Sequence, residues 1–301
     1  MIASFLAAFF FALTGACGNA NIRANGPVRG NLGRLGVAAV MLGLFAHTAG
    51  TGFASASVGW FMFSGLLGMG IGDLGVYAAL PLLGSRITVL MTQCLAAPIA
   101  ALGEWLWLGT RLTLTQILWG LLILAGVAVA ITPGRARPPR VEVRPVGYLF
   151  GLLAAAGQGL GALVSRKGVL VAAAAGEAVR TPLFGLNAAY HRILAGLVFI
   201  VIWFAVLRRL GRLPVGVTPP TRRNRRKWIL ASGFTGPILG VSCYQWALAT
   251  TPTGIVLPIV ATAPLLAIPI AMILENDRPP KRAILGGILA VAGCVALTAA
   301  R

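Results

Sequence analysis

The chain has 301 residues, of which 58% are hydrophobic and only 10% charged, with 25 Lys or Arg against 6 Asp or Glu. A soluble domain carries roughly a quarter charged residues, so this composition leaves too little polar surface to face water and excludes a soluble globular fold. The net charge of +19 would suit a polyanion binder, but nearly all the basic residues fall in short gaps between apolar runs of about 20 residues, a topological pattern that needs no nucleic-acid partner.

Ten apolar stretches follow one another, at roughly 2–20, 35–53, 58–82, 87–109, 113–132, 147–164, 188–207, 228–249, 254–274 and 283–300. Each is about long enough to cross a bilayer as a helix. The predicted fold is therefore an all-α membrane protein of ten transmembrane helices. The longest polar interruptions, 133–145, 165–185 and 208–227, are too short to bury cores of their own. No Lys or Arg precedes the first apolar run, so it reads as a retained span and not as a secretion signal, despite Thr14-Gly15-Ala16-Cys17. Cys17, Cys94, Cys243 and Cys294 lie singly in apolar stretches with no C-x-x-C, which supports neither a disulfide framework nor a metal site.

Loops after odd-numbered spans hold 19 of the 25 basic residues and the other side holds six, Arg111, Arg166, Lys167, Arg180, Arg192 and Arg301. The positive-inside rule then puts the odd-numbered loops in the cytoplasm and both termini outside a cell inner membrane.

The chain also repeats itself. Ser64-Gly65, Gly72 and Ala79-Leu80 of span three answer Ser232-Gly233, Gly240 and Ala247-Leu248 of span eight. Ala97-Pro98 answers Ala263-Pro264, Gly120 with Ala125-Gly126 answers Gly287 with Ala292-Gly293, and Arg34, opening span two, answers Arg192, opening span seven. This divides the chain into a first five-helix repeat (1–132), a basic linker (133–146) and a second five-helix repeat (147–301). An odd number of helices per repeat turns the second copy over in the membrane. Inverted repeats of this kind carry solute sites near the midplane between the halves.

The stretch from Pro98 through Leu108-Gly109-Thr110-Arg111-Leu112-Thr113 to Gly120 and Ala125-Gly126 resembles the close of an EamA-type repeat. So does the stretch from Pro264 through Leu274-Glu275 to Gly287 and Ala292-Gly293. The resemblance implies the drug/metabolite transporter superfamily, with ten helices in two five-helix repeats and substrates ranging over amino acids, sugars, nucleotide sugars and drugs. Two departures stand out. Thr110 replaces the turn glutamate of the first repeat while Glu104 appears inside the helix, and the resemblance implies cytoplasmic termini where the charge count places them outside.

Two acids lie within spans, where an ionisable group is costly without a cavity or a partner. Asp73 follows the glycine series Gly65, Gly68, Gly70 and Gly72 and reads either as a substrate-amine or proton-coupling site or as a structural hydrogen-bonding group. Glu104, beside Trp105 and Trp107, reads as a second station roughly 10 Å from Asp73 along the membrane normal, or as an interfacial residue. Tyr77, Gln158, Tyr244, Gln245 and Trp246 are candidate cavity-lining residues, Tyr77 and Gln245 being equivalent in the repeat. His47 and Gln93 are further polar residues at membrane depth. Pro258 and Pro264 are candidate kinks or gates in span nine, with Pro269 beyond them. His191-Arg192 and Arg34 suit an anionic group or interface anchoring.

No H-E-x-x-H, P-loop or G-x-S-x-G motif occurs. The expectation is a membrane-embedded secondary transporter, not an enzyme and without cofactor, exporting a small metabolite or amino acid with possible proton coupling, as a monomer or homodimer. An uncoupled facilitator and a lipid-handling, flippase-like protein are the alternatives.

Overall fold

The computed structural model of the chain describes residues 1–131, 144–212, 222–263, 265–266 and 281–299. Every regular element among them is helical: α1 (Ile2–Asn25), α2 (Pro27–Thr48), α3 (Val58–Gly65), π1 (Leu66–Gly72), α4 (Asp73–Leu108), α5 (Leu114–Ile131), α6 (Val146–Ala174), α7 (Pro182–Arg209), α8 (Arg222–Gly233), π2 (Phe234–Gly240), α9 (Val241–Thr250), α10 (Thr253–Val260) and α11 (Lys281–Ala299). Local chemistry marks the ends. Pro27 opens α2 after Gly26 at φ 78°, and Thr181 caps α7 by accepting from the Phe184 amide ahead of Pro182. Gly109 closes α4 in the left-handed conformation at φ 70°.

Four helical stretches among the described residues, Val28–Thr48, Val58–Val76, Val146–Ala174 and Pro182–Arg209, are long and apolar enough to cross a membrane individually, and four more apolar helices are shorter. Alanine and glycine make up much of the interior, whereas Leu44, Leu149, Ile202 and Ile288 project outward exposed, an arrangement suited to a lipid surround.

Several boundaries differ from the sequence expectation, and at α2 and α6 the difference is a charged residue inside the helix. α2 begins at Pro27, so Arg34 lies about two turns within it; α6 continues to Ala174, through Ser165, Arg166 and Lys167; α7 begins at Pro182, ahead of Arg192. Arg34, Arg166 and Arg192 all have partners in the protein and do not mark helix ends. Taking Arg34 from the 19 and Arg166 and Arg192 from the six leaves 18 basic residues against 4, which strengthens the charge asymmetry.

The long helix α4 reverses direction. Gly72 packs against Gly157, and Ala96 against Gly159, two residues further along α6. On a straight helix Gly72 and Ala96 would lie roughly 36 Å apart. The chain therefore turns back between Leu83, which packs on Gly147, and Met91, which packs on Gly151. Two antiparallel legs result.

The repeat reappears as reciprocal packing. π1 and π2 occupy equivalent positions in the two halves, each following a Ser-Gly pair and ending in glycine. π1 packs on α6 and α7, while π2 packs on α1 and α2, so each half grips the other. Ser64 donates to the Gly161 carbonyl and lies 2.8 Å from the Ser165 hydroxyl; its counterpart Ser232 accepts from the Asn21 amide at 2.9 Å. In the same way a Cβ on Gly126 would meet Ala290 N and Gly286 O, and one on Gly293 would meet Ile123 N and Trp119 O. Moving down one helix moves up the other, so α5 and α11 run antiparallel about a local two-fold axis.

This seam tolerates no side chain at its closest point. A Cβ on Gly65 would overlap the Arg192 carbonyl, whereas one on Gly36 would meet nothing within 4 Å. Gly65→Ala is expected to lower stability by about 1–3 kcal/mol through overpacking, while Gly36→Ala is neutral or stabilising, as for an open helical site. Thermal unfolding of the two variants in detergent checks the contrast.

Candidate functional site

Charged and polar side chains gather where the halves meet. On one face of the seam, Asp73 at the start of α4 lies 3.4 Å from Arg34 Nη2 of α2, and Arg34 Nε donates to Asn31 Oδ1 at 2.7 Å. Both ion-pair partners are mostly buried, with side chains 18% and 19% exposed. Asp73 lines a cavity of about 210 Å³ between α2, π1, α4 and α7. Asn31 and Asp73 are its polar lining, and Met69, Phe199, Trp203 and Leu207 part of its apolar wall. That volume is below the roughly 300 Å³ at which drug-sized sites begin, so the cavity has room only for a small solute.

Across π1 lies the second arginine. Arg192 of α7 is 3% exposed; its Nη1 donates to Ser165 Oγ at 2.9 Å, and its guanidinium carbon is 5.8 Å from the centre of the Tyr244 ring. Gly68 lies beneath Nη2, where a Cβ would approach to 2.8 Å. Among the described residues Arg192 Nε has no hydrogen-bond partner, fully buried Gln245 has neither side-chain polar atom paired, and the Ser242 hydroxyl is also unpaired. Asp73 thus stands between two arginines, paired directly with one and feeling the field of the other.

The other intramembrane acid is committed elsewhere. Glu104 is 2% exposed and accepts from both the amide, at 2.7 Å, and the hydroxyl of Thr253. It also lies 3.4 Å from Arg166 Nε, and Arg166 Nη1 donates to the Leu248 carbonyl at 2.7 Å. A carboxylate on the first amide of α10 stabilises that helix start and satisfies an otherwise orphaned donor. The cluster ties α4 to α6 and α10, so it is a latch between the halves. Gly72 packs at Gly157 whereas Glu104 pairs at Arg166, so the two acids are separated along α6 by roughly 13 Å and do not share a proton.

The other predicted positions divide. Tyr244 is buried beside Arg192, Gln245 is fully buried on the same helix, and the half-buried Gln158 packs by its backbone near Gly72. Trp246 turns away, its indole donating to the Arg180 carbonyl at 3.0 Å in the loop before α7. Pro258 is buried inside the short helix α10. Pro264, Pro269, Glu275, most of the basic linker and the side chains of Tyr77 and Gln93 lie outside the described residues. His47 lies 3.2 Å from the Tyr190 hydroxyl, and its ring packs with Phe53 and Tyr190, which also flank His191. Arg34 and Arg192 read equally well as membrane anchors in sequence; their matching places in the two repeats were the signal for a shared role. Nothing in the sequence singles out Phe199 and Trp203, which face the cavity from the middle of an evenly apolar helix.

Comparison with known proteins agrees with this architecture. The model of the EamA-like transporter family matches residues 1–132 and 145–299. A solved structure described as "Crystal structure of protein" superimposes with a TM-score of 0.75 at 15% identity, covering 99% of this chain and 97% of that one, a likeness of fold. Curated protein sequences give no match.

Proposed function

Since the chain belongs to the EamA-like transporter family and so is a multi-pass membrane transporter of the drug/metabolite type, we propose that it exports a small metabolite or amino acid by alternating access of two inverted five-helix repeats. The observation that carries this reading is the reciprocal grip of the halves around buried charge: π1 on α6 and α7, π2 on α1 and α2. Such an interface has two equivalent ways of opening, and exchange between them exposes the seam first to one side and then to the other. The Glu104 latch closes one end in this conformation, while Asp73 and its cavity lie toward the other. By the positive-inside rule the basic loops support a cytoplasmic cavity end with both termini outside.

Of the two modes of energy use, the uncoupled one is favoured by a specific feature. Both intramembrane acids are already held by arginines, Asp73 by Arg34 and Glu104 by Arg166. Reconstituted protein is expected to show counterflow of its substrate at the same rate with and without an imposed pH gradient. A rate that follows the gradient in wild-type protein and not in Asp73→Asn would establish proton coupling instead.

A further inference from the structure

We propose that Arg192 is the anion-recognition residue of the translocation site, and that the transported solute carries a single ionised carboxylate; this rests on the transporter reading above. Arg34, Asp73 and Arg192 are gathered at the seam, two cations and one anion, and Asp73 is committed to Arg34 at 3.4 Å. One positive charge remains without a counter-charge at membrane depth, a costly arrangement unless a ligand supplies the balance. Among the described residues no acid lies within ion-pairing distance of Arg192.

The geometry identifies which edge receives the ligand. Nη1 is engaged by Ser165, whereas Nε is buried and unpartnered. Nε and Nη2 form the side-on edge of a guanidinium, whose two parallel donors match the two oxygens of a carboxylate. Gly68 packs on Nη2 with no side chain between them, since a Cβ there would stand 2.8 Å from it. Gln245 is on α9, a helix that packs on α7, and is fully buried with neither its amide oxygen nor its nitrogen paired among the described residues. Access to this edge requires π1 to part from α6 and α7, the movement that alternating access demands at the same seam.

The test uses the full-length protein in lipid nanodiscs and in liposomes, with acetate, benzoate and N-acetylalanine as probes, each beside its primary amide, which has the same shape and no charge. The expected result is that at least one carboxylate raises the unfolding temperature and its amide does not. The response should be lost in Arg192→Gln, weakened at least tenfold in concentration by Gly68→Ala, and unchanged by Arg208→Gln at the exposed end of α7. Carboxylates that act no differently from their amides, or a response that survives in Arg192→Gln, overturn the inference; the comparison of each acid with its amide needs no variant to fold. Flux in liposomes separates the two claims. Carboxylate binding with no counterflow of any probe upholds the site and removes the transporter reading. Counterflow of the amides without a carboxylate response upholds the transporter and removes the anion site.

Discussion

Replacing Glu104 with alanine is expected to destabilise the protein by about 3–5 kcal/mol, the usual cost of removing one partner from a buried ion pair. The loss has two parts. Arg166 keeps its charge in the interior with only the Leu248 and Ala249 carbonyls as partners, and the Thr253 amide at the start of α10 loses its acceptor. Glu104→Gln should fall between wild type and Glu104→Ala, because the amide oxygen still accepts from Thr253 while the charge is gone. Arg166→Ala in the Glu104→Ala background should cost much less than in wild type, since the stranded guanidinium is removed with its partner. Thermal unfolding of the four proteins, arranged as a double-mutant cycle, measures this coupling; additive losses would mean that the latch does not act as a unit. Because the cluster joins α4 to α6 and α10, its loss should also favour the conformation in which that end of the seam is open.

The second large effect concerns the pair at the other end. Asp73→Asn alone leaves Arg34 without its carboxylate and puts two uncompensated guanidinium groups at the seam, so a loss of about 3 kcal/mol or more is expected. Arg34→Gln added to Asp73→Asn removes the extra charge and should recover most of that stability. It should also recover most of the flux, because in this account Asp73 holds Arg34 and does not carry protons. The measurement is counterflow rate alongside unfolding temperature for both single variants and the double. A double variant that is stable yet inactive would return Asp73 to a direct part in transport.

Some of this organisation was legible in the sequence for clear physical reasons. A bilayer demands long apolar runs, so the helical class followed from composition and spacing. The duplicated Ser-Gly, Gly and Ala-Gly steps marked the repeat because close backbone approach admits no larger side chain, and Gly65, Gly126 and Gly293 occupy such contacts. Asp73 and Glu104 stood out because an acid within a span is costly. Their partners did not: Arg34, Arg166 and Arg192 lie near span ends, where an arginine that anchors at the interface and one that turns inward have the same neighbours in sequence. The distinction is made by helices distant in the chain. For the same reason Trp246 read as cavity lining although its indole serves a loop carbonyl, and the π-helical turns at Leu66–Gly72 and Phe234–Gly240 had no signature beyond their glycines.

For solute to cross, the two halves must part at the latched end. Ala101 of α4 and Gly254 of α10 face each other there, the Ala101 Cβ lying 3.2 Å from where a Cβ on Gly254 would sit, short of the roughly 3.5–4.5 Å of a disulfide, so the bond forms once the two helices ease apart slightly and the Leu112 side chain, 2.5 Å from the same point, gives way. With Cys17, Cys94, Cys243 and Cys294 replaced by alanine, the pair Ala101→Cys and Gly254→Cys can be oxidised to lock this end shut. Counterflow in liposomes before oxidation, after it and after reduction is the direct measurement. The expected result is transport that stops on oxidation and returns on reduction; a fully cross-linked protein that carries solute at the unlocked rate would contradict alternating access at this seam.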